Sequence, residues 1–150
     1  MKIYAELTEM SLNRKNRRIK SLRVNKLFHV HCGYKNPSVD TSLELLQYFD
    51  LYLGILATVK DRDQRRRSLY GKAGCFRLTG YGFEYRVLSA AMYATPELTG
   101  QVYDQCMKAI HAFEQDEVVF DDELKNTIRT TIDTGDIDKA QELAKQFNLF

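Results

Sequence analysis

The sequence lacks any apolar run long enough to cross a bilayer, since a membrane-spanning helix needs about 20 consecutive apolar residues and the 44% apolar content is spread along the chain. The first twenty residues contain no apolar signal core, so nothing predicts export. The three cysteines are an odd number without metal-ligand spacing, so we expect reduced thiols. These absences exclude a membrane-embedded or disulfide-stabilised protein and predict a cytoplasmic one.

At 150 residues the chain is long enough for one domain with a substantial core. We expect a basic extension at 1–26, a segment of sheet and helix at 27–90 and a helical segment at 91–150. Alternating and helical apolar spacing predict an α+β fold, in which a sheet of few strands packs against helices. The expected strands are 3–8, 27–34 and 80–88, and the expected helices are 41–59, 96–114 and two short ones that follow.

Charge divides the chain into a basic and an acidic part. Residues 1–90 carry 17 Lys and Arg against 8 Asp and Glu, whereas residues 91–150 carry 5 against 12. Seven cations lie between residues 14 and 26, but no aromatic residue interleaves them, so the base-stacking pattern of single-strand binders is missing. This run predicts a solvated loop, with nucleic-acid binding as an alternative. An anionic ligand would meet the basic part of the chain.

Two short polar patterns, His29-x-His31 and Glu84-x-Arg86, lie on predicted strands. Side chains two residues apart on a strand point to the same face, so each pattern presents a polar face opposite an apolar one. If the two strands are neighbours, two imidazoles, a carboxylate and a guanidinium share one surface. Such a surface suits a divalent metal together with a phosphate. Each pattern alone also fits a structural pair or a solvated salt-bridged face.

Lys72 lies between Gly71 and Gly74 in a basic loop that leads to Arg77. Glycines let the backbone approach an anion closely, so the loop is a candidate for phosphate contact. It does not match the phosphate-binding loop GxxxxGK[ST]. Composition and spacing therefore leave metal or phosphate binding as one of several possibilities.

A longer comparison of motifs resolves some of this ambiguity, because several of them occur in the same order as in a known family. The sequence resembles the phage and bacterial carboxylate–amine ligases, which are amidoligases with a glutamine-synthetase-like fold. The resemblance implies that the expected sheet is antiparallel and is part of such a fold. The resemblance extends roughly over residues 27–104. The motifs that carry it are HVHCGYKNPSVDTSLE at 29–44, DLYLG at 50–54, RRSLYGKAGCFR at 66–77, YGFEYRVLS at 81–89 and PEL at 96–98.

The resemblance implies ATP- and Mg²⁺-dependent amide-bond formation. A carboxylate is activated as an acyl phosphate, and an amine then displaces the phosphate. By resemblance, His29 and Glu84 would bind the metal, and His31 would face the nucleotide. Arg77 and Arg86 would be catalytic and would hold phosphate oxygens, with Lys72 as an additional nucleotide contact. If the chain is phage-encoded, it would act in the host cytoplasm.

The sequence also departs from the family pattern. Relatives normally carry a hundred or more residues before the His-x-His strand, including an acidic strand with further metal ligands, whereas 26 residues precede Leu27 here. Glu6 and Glu9 are poor substitutes. Leu27 and Phe28 replace small glycines, and Ala90-Ala91 replaces an Asn and an aromatic residue.

Three hypotheses follow from the match and the departures. The chain is a ligase completed by another chain, either a second copy or a complementing partner. Alternatively, it is an inactive truncated relative that engages a host or partner protein. The third hypothesis is a basic nucleic-acid-binding protein, which only the cation run favours. We expect a homodimer or a complementing chain because a half-sheet leaves an open edge, and we expect no membrane partner.

Overall fold

The computed structural model describes residues 3–7 as backbone, and residues 29–69 and 71–150. It confirms the α+β prediction. The predicted basic run, together with Leu27 and Phe28, lies outside the described residues. The strands are β1 Ile3–Leu7, β2 Val30–Tyr34, β3 Phe76–Thr79 and β4 Gly82–Tyr85, and the helices are α1 Val39–Phe49, α2 Ile55–Lys60, α3 Gln64–Leu69, α4 Pro96–Glu114, α5 Asp122–Thr134 and α6 Ile137–Gln146.

The four strands form one antiparallel sheet in the order β1-β2-β4-β3. The register places one residue of each strand in a single row across the sheet, in the order Glu6, His31, Glu84 and Arg77. The predicted strand pair is therefore confirmed, because β2 and β4 are direct neighbours. Their register aligns the two polar patterns on the same face.

The other face of the sheet carries the apolar side chains and packs on the helices. Val30 and Cys32 on β2 and Phe83 and Tyr85 on β4 are fully buried. Phe49 at the end of α1 meets the rings of Phe83 and Tyr85 edge to face, with centroids 5.2 and 5.6 Å apart. Such aromatic contacts add to the stabilisation from burial and fix α1 against the sheet.

The helix predicted at 41–59 extends from Val39 to Lys60, and a π-helical segment, Asp50–Gly54, joins α1 to α2. Its start was predicted two residues too late. Thr41 and Glu44 have the spacing of a capping box, but the N-cap is Ser38, which accepts a hydrogen bond from the Thr41 amide. Helical spacing also predicts that Leu43 lies on the buried stripe with Leu46 and Phe49, and this is wrong, since 42% of Leu43 is exposed. Every residue from 51 to 58 is buried, so this helix carries no single apolar stripe.

The loop predicted at 71–77 ends in a strand that the sequence pattern did not indicate. Phe76–Thr79 pairs with β4, although its alternation is weak and its central residues are exposed. Cross-strand pairing at the sheet edge therefore determines this strand, rather than its own composition. The strand brings Arg77 directly opposite Glu84.

The helix predicted at 96–114 is α4, and the two short helices predicted after it are α5 and α6. Thr95 caps α4 with Pro96 at its first turn, as expected for a proline whose missing amide costs no helical hydrogen bond. Asp121 caps α5, Gly135 ends it with a φ of 66°, and Asp136 caps α6. None of the helices in the described ranges combines the length and apolar content that crossing a bilayer requires.

Candidate functional site

The Glu84 carboxylate is the centre of a polar cluster on the sheet face turned away from the helices. Only 2% of Glu84 is exposed. Its Oε1 lies 2.5 Å from His29 Nδ1 and 3.5 Å from Arg86 Nε, and its Oε2 accepts a hydrogen bond from Arg77 Nη2. The structure thus brings His29, Arg77, Glu84 and Arg86 together, and these four residues are called the Glu84 cluster below.

The two arginines of the Glu84 cluster differ in exposure. The Arg77 side chain is 62% exposed and the Arg86 side chain is 30% exposed. Two guanidinium cations face one buried carboxylate, so the cluster has an excess of positive charge. Arg77 presents a fork of N–H donors, and one of its nitrogens, Nη2, donates to Glu84. The other N–H groups can donate to an anionic ligand from solvent.

His29 is the uncharged member of the Glu84 cluster. Burial lowers its pKa below the ordinary histidine value; Glu84 acts in the opposite direction and the neighbouring cations reinforce the decrease. The imidazole is therefore predominantly neutral at pH 7, and its Nδ1–H donates to Glu84. This contact fixes the ring orientation, as carboxylates commonly do for functional histidines.

His31 has a different partner from His29. It lies opposite Glu84 in the register of β2 and β4, but its Nδ1 is hydrogen-bonded to the hydroxyl of Tyr81. The two rings also stack, with centroids 5.6 Å apart. Sequence reasoning missed Tyr81, which lies in the hairpin turn between β3 and β4. A stacked aromatic residue beside His31 offers a flat surface at the rim of the Glu84 cluster.

Lys72 lies apart from the cluster. Its side chain is exposed on the loop 71–75, and within the described part of the chain no hydrogen bond or ion pair joins it to Glu84 or the arginines. The loop itself is fixed by the Ala73 amide, which donates to Asp133 on α5 at 2.8 Å. Lys72 as a nucleotide contact stays a prediction.

Arg66 fixes the chain where it leaves β4. Its guanidinium donates to the carbonyl oxygens of Val87 and Leu88. The segment that carries Arg86 is thereby attached to α3. The sequence motif RRSLYGKAGCFR therefore includes a residue that positions the site as well as one, Arg77, that belongs to it.

The Glu84 cluster does not by itself form a metal site. Both carboxylate oxygens already accept contacts from cations or imidazole, and among the described residues no three His, Cys, Asp or Glu side chains converge to hold a metal ion. A divalent ion needs more oxygen ligands than one imidazole and one carboxylate supply. Mg²⁺ binding by His29 and Glu84 therefore stays a prediction, and the described residues alone do not fit it.

Asp50 is a second polar residue of interest that sequence reasoning did not single out. It begins the π-helical segment, a kind of segment that is frequent at functional sites. Its Oδ1 accepts a hydrogen bond from the Tyr85 hydroxyl at 2.8 Å, and the Gly74 amide also donates to it. Burial raises the pKa of Asp50 to about 7, an effect increased by Asp133 and opposed by the hydrogen bonds and by Arg129.

Comparison with known proteins identifies one relationship. Neither curated proteins nor solved structures give a match. A family model described as phage phiEco32-like COOH.NH2 ligase-type 2 matches residues 28–146, which include the Glu84 cluster, His31 and every described helix. Because this match covers most of the sequence, the chain belongs to the phage phiEco32-like COOH.NH2 ligase-type 2 family.

Proposed function

We propose that this protein is an ATP-dependent carboxylate–amine ligase whose Glu84 cluster binds the phosphates of the nucleotide. The observation that carries the proposal is the buried Glu84 carboxylate with two guanidinium groups on it, of which Arg77 is largely open to solvent. A carboxylate of this kind holds arginine side chains in place before the ligand arrives. Preorganised cations of this type stabilise the charge that develops on a transferred phosphoryl group.

The proposed reaction has two steps. A substrate carboxylate oxygen attacks the γ-phosphorus of ATP, the bond to the bridging oxygen breaks, and ADP leaves with the electron pair. An amine then attacks the acyl carbon, phosphate leaves with its electron pair, and the amine gives up a proton. Arg77 and Arg86 would hold the phosphoryl oxygens through both steps. Phosphoryl transfer depends mainly on such positioning and charge stabilisation.

His29 and His31 would contribute to the same site in different ways. His29 is neutral and oriented by Glu84, so it would keep the carboxylate and arginines in register without adding charge. His31 and the ring of Tyr81 would form a surface beside the phosphates. A metal requires ligands from outside the described residues, and no step here depends on it.

The nucleotide prediction concerns the arginines. We expect ATP to bind weakly to the native chain and its dissociation constant to rise about tenfold or more in Arg77→Ala or Arg86→Ala, because each substitution removes a charge-assisted contact to phosphate. Calorimetric titration with ATP, with and without Mg²⁺, measures this. The matched control is Arg62→Ala, which removes an exposed arginine between α2 and α3.

Two results would contradict the nucleotide proposal. One is the absence of any binding heat in the calorimetric titration together with the absence of any NMR shift at β3 and β4 when ATP is added. The other is an equal loss of affinity in Arg62→Ala and in the cluster variants. Either result would favour the second candidate function, a non-catalytic relative that binds a protein partner, which the incomplete metal-ligand set of the described residues also favours. Nucleic-acid binding through residues 14–26 remains a further alternative.

The proposed ligase would be completed by a second copy or by a complementing chain. β3 is an edge strand of the described sheet, and its Leu78 is 46% exposed. An open edge with an exposed apolar side chain is a common site of strand pairing. Pairing at this edge would place a partner next to Arg77.

The assembly prediction uses the edge strand. We expect light scattering during size-exclusion chromatography to give a dimer mass that falls toward the monomer mass in Leu78→Lys, because a lysine on an edge strand disfavours pairing. Leu69→Lys is the matched control, since Leu69 is 90% exposed on α3 and away from the sheet edge. A monomer at every concentration, or the same effect of both substitutions, would refute dimerisation through β3.

A further inference from the structure

A cavity of about 260 Å³ lies on the helical side of the sheet, between α1, the loop 71–75 and α5. Tyr85 faces this side, whereas its neighbour Glu84 faces the other, so the sheet separates the cavity from the Glu84 cluster. The volume is below the ~300–1,000 Å³ of pockets for drug-sized ligands. The cavity therefore suits a small metabolite rather than a nucleotide.

The wall of the cavity combines apolar side chains with charges of both signs. Leu43, Leu46, Phe120 and Ile128 supply the apolar part. The carboxyl group of Asp50 lies at the inner end, where Tyr85 and Gly74 hold it in place. The charged residues on the α5 side are Lys125 and Arg129.

Lys125 and Arg129 are the two cations in the wall of the cavity. Among the described residues, no ion pair or side-chain hydrogen bond involves either of them, although both are next to the cavity. Arg129 is close enough to Asp50 to oppose the increase in its pKa. A carboxyl group and two cations thus flank one small apolar space.

We propose that this cavity binds a small apolar α-amino acid, with its ammonium group on Asp50, its carboxylate on Lys125 and Arg129, and its side chain against Leu43 and Phe120. An α-amino acid carries its ammonium and carboxylate groups on the same carbon atom, which matches the closeness of Asp50 and Arg129. The exposed Leu43 is thereby explained, because its side chain forms part of a ligand site. The inference is independent of ligase activity, since the site lies on the opposite side of the sheet.

The loop 71–75 connects the cavity to the Glu84 cluster through backbone hydrogen bonds. Gly74 donates to Asp50, and the following residue, Cys75, accepts a hydrogen bond from the Arg86 amide at 2.8 Å. A ligand that holds Asp50 and the loop 71–75 in place would therefore also restrain the backbone of Arg86. The expected role of the amino acid is that of an effector.

The test uses L-leucine and two analogues that each lack one charged group. The full chain, labelled for NMR, is titrated with L-leucine, 4-methylpentanoate, which lacks the amine, and 3-methylbutylamine, which lacks the carboxylate. We expect L-leucine to cause saturable shifts at residues around the cavity. Both analogues should bind at least about tenfold more weakly than L-leucine, because each loses a charge-assisted contact. Equal binding of 4-methylpentanoate would identify a simple anion site and overturn the proposal.

Variants provide the second arm of the test. Asp50→Asn and Arg129→Ala should each weaken L-leucine binding about tenfold or more, whereas Lys139→Ala, a substitution on α6 away from the cavity, should leave it unchanged. Lys125→Ala tests independently the second cation that is proposed to contact the carboxylate of L-leucine. The proposal is refuted if L-leucine causes no saturable shift at the cavity, or if Asp50→Asn and Arg129→Ala bind it as the native chain does.

Discussion

Replacing Gly82 with alanine is expected to lower the free energy of unfolding by at least about 3 kcal/mol, combining backbone strain with overpacking. Gly82 has a φ of 151°, and an added Cβ would lie 2.2 Å from the backbone oxygen of Cys32 on the neighbouring strand. The neighbouring atom belongs to the main chain, so no side-chain rotation relieves the clash. The strands β2 and β4 would have to separate where Gly82 pairs with Gly33.

Thermal or urea unfolding measures this effect, and for a chain of this size the expected decrease in Tm is roughly 10 °C. Gly80→Ala is the matched control, because it lies in the same hairpin and its added Cβ meets no heavy atom within 4 Å. We expect Gly80→Ala to stay within about 0.5–1 kcal/mol of the native chain. Equal stability of the two variants would mean that the contact between β2 and β4 is looser than described.

The second large effect is expected at Asp50 and depends on pH. Its pKa is about 7 in the folded chain against the ordinary value of 3.8, so between these values the folded state keeps a proton that the unfolded state has released. The Asp50 contribution to stability therefore decreases as the pH rises from about 4 to 7, and it is constant above that range. The decrease is about 2–4 kcal/mol after allowance for the partial exposure of the side chain.

Asp50→Asn isolates this contribution because asparagine keeps an acceptor for the Tyr85 hydroxyl and cannot ionise. The difference in unfolding free energy between the variant and the native chain should shift in favour of asparagine by about 2–4 kcal/mol between pH 4.5 and pH 8. Urea unfolding at both pH values gives this difference. Asp104→Asn, an exposed carboxylate on α4, is the control. A difference that does not vary with pH would contradict the raised pKa.

Both large effects concern residues that hold functional groups in place. Gly82 allows β2 to lie close enough to β4 for His29 and Glu84 to meet at 2.5 Å. Asp50, at the end of α1, accepts hydrogen bonds from Tyr85 and from Gly74 in the loop before β3. A mutation of Gly82 is therefore expected to disturb the Glu84 cluster through the backbone, whereas a mutation of Asp50 would disturb the proposed amino-acid site directly.

Several local features could be predicted from the sequence because short-range chemistry decides them. Thr95-Pro96, Asp121 and Asp136 begin helices with their own side chains, and Gly135 ends α5 in a conformation that other residues rarely adopt. The alternation in β2 and β4 assigned His29, His31, Glu84 and Arg86 to one face because the side-chain period of a strand is two.

Other features depended on residues distant in the chain. The sequence pattern did not indicate β3, because pairing with β4 stabilises this exposed edge strand. The helical period failed at Leu43, because this residue lies in the first turns of α1, where Val39 and Glu44 are also exposed. Tyr81 and Asp50 were missed because their partners, His31 and Tyr85, lie 50 and 35 residues away.

The sequence by itself determined which residues can bind an anion, and the family match that includes them. Only the tertiary structure decided how they meet: Arg77 and Arg86 converge on a buried Glu84, Lys72 stays apart, and Asp50 lines a cavity on the other side of the sheet. The physical reason is that strand register and helix packing bring together groups that no local pattern relates. Charge and hydrogen-bonding capacity belong to single residues, whereas burial and distance belong to the fold.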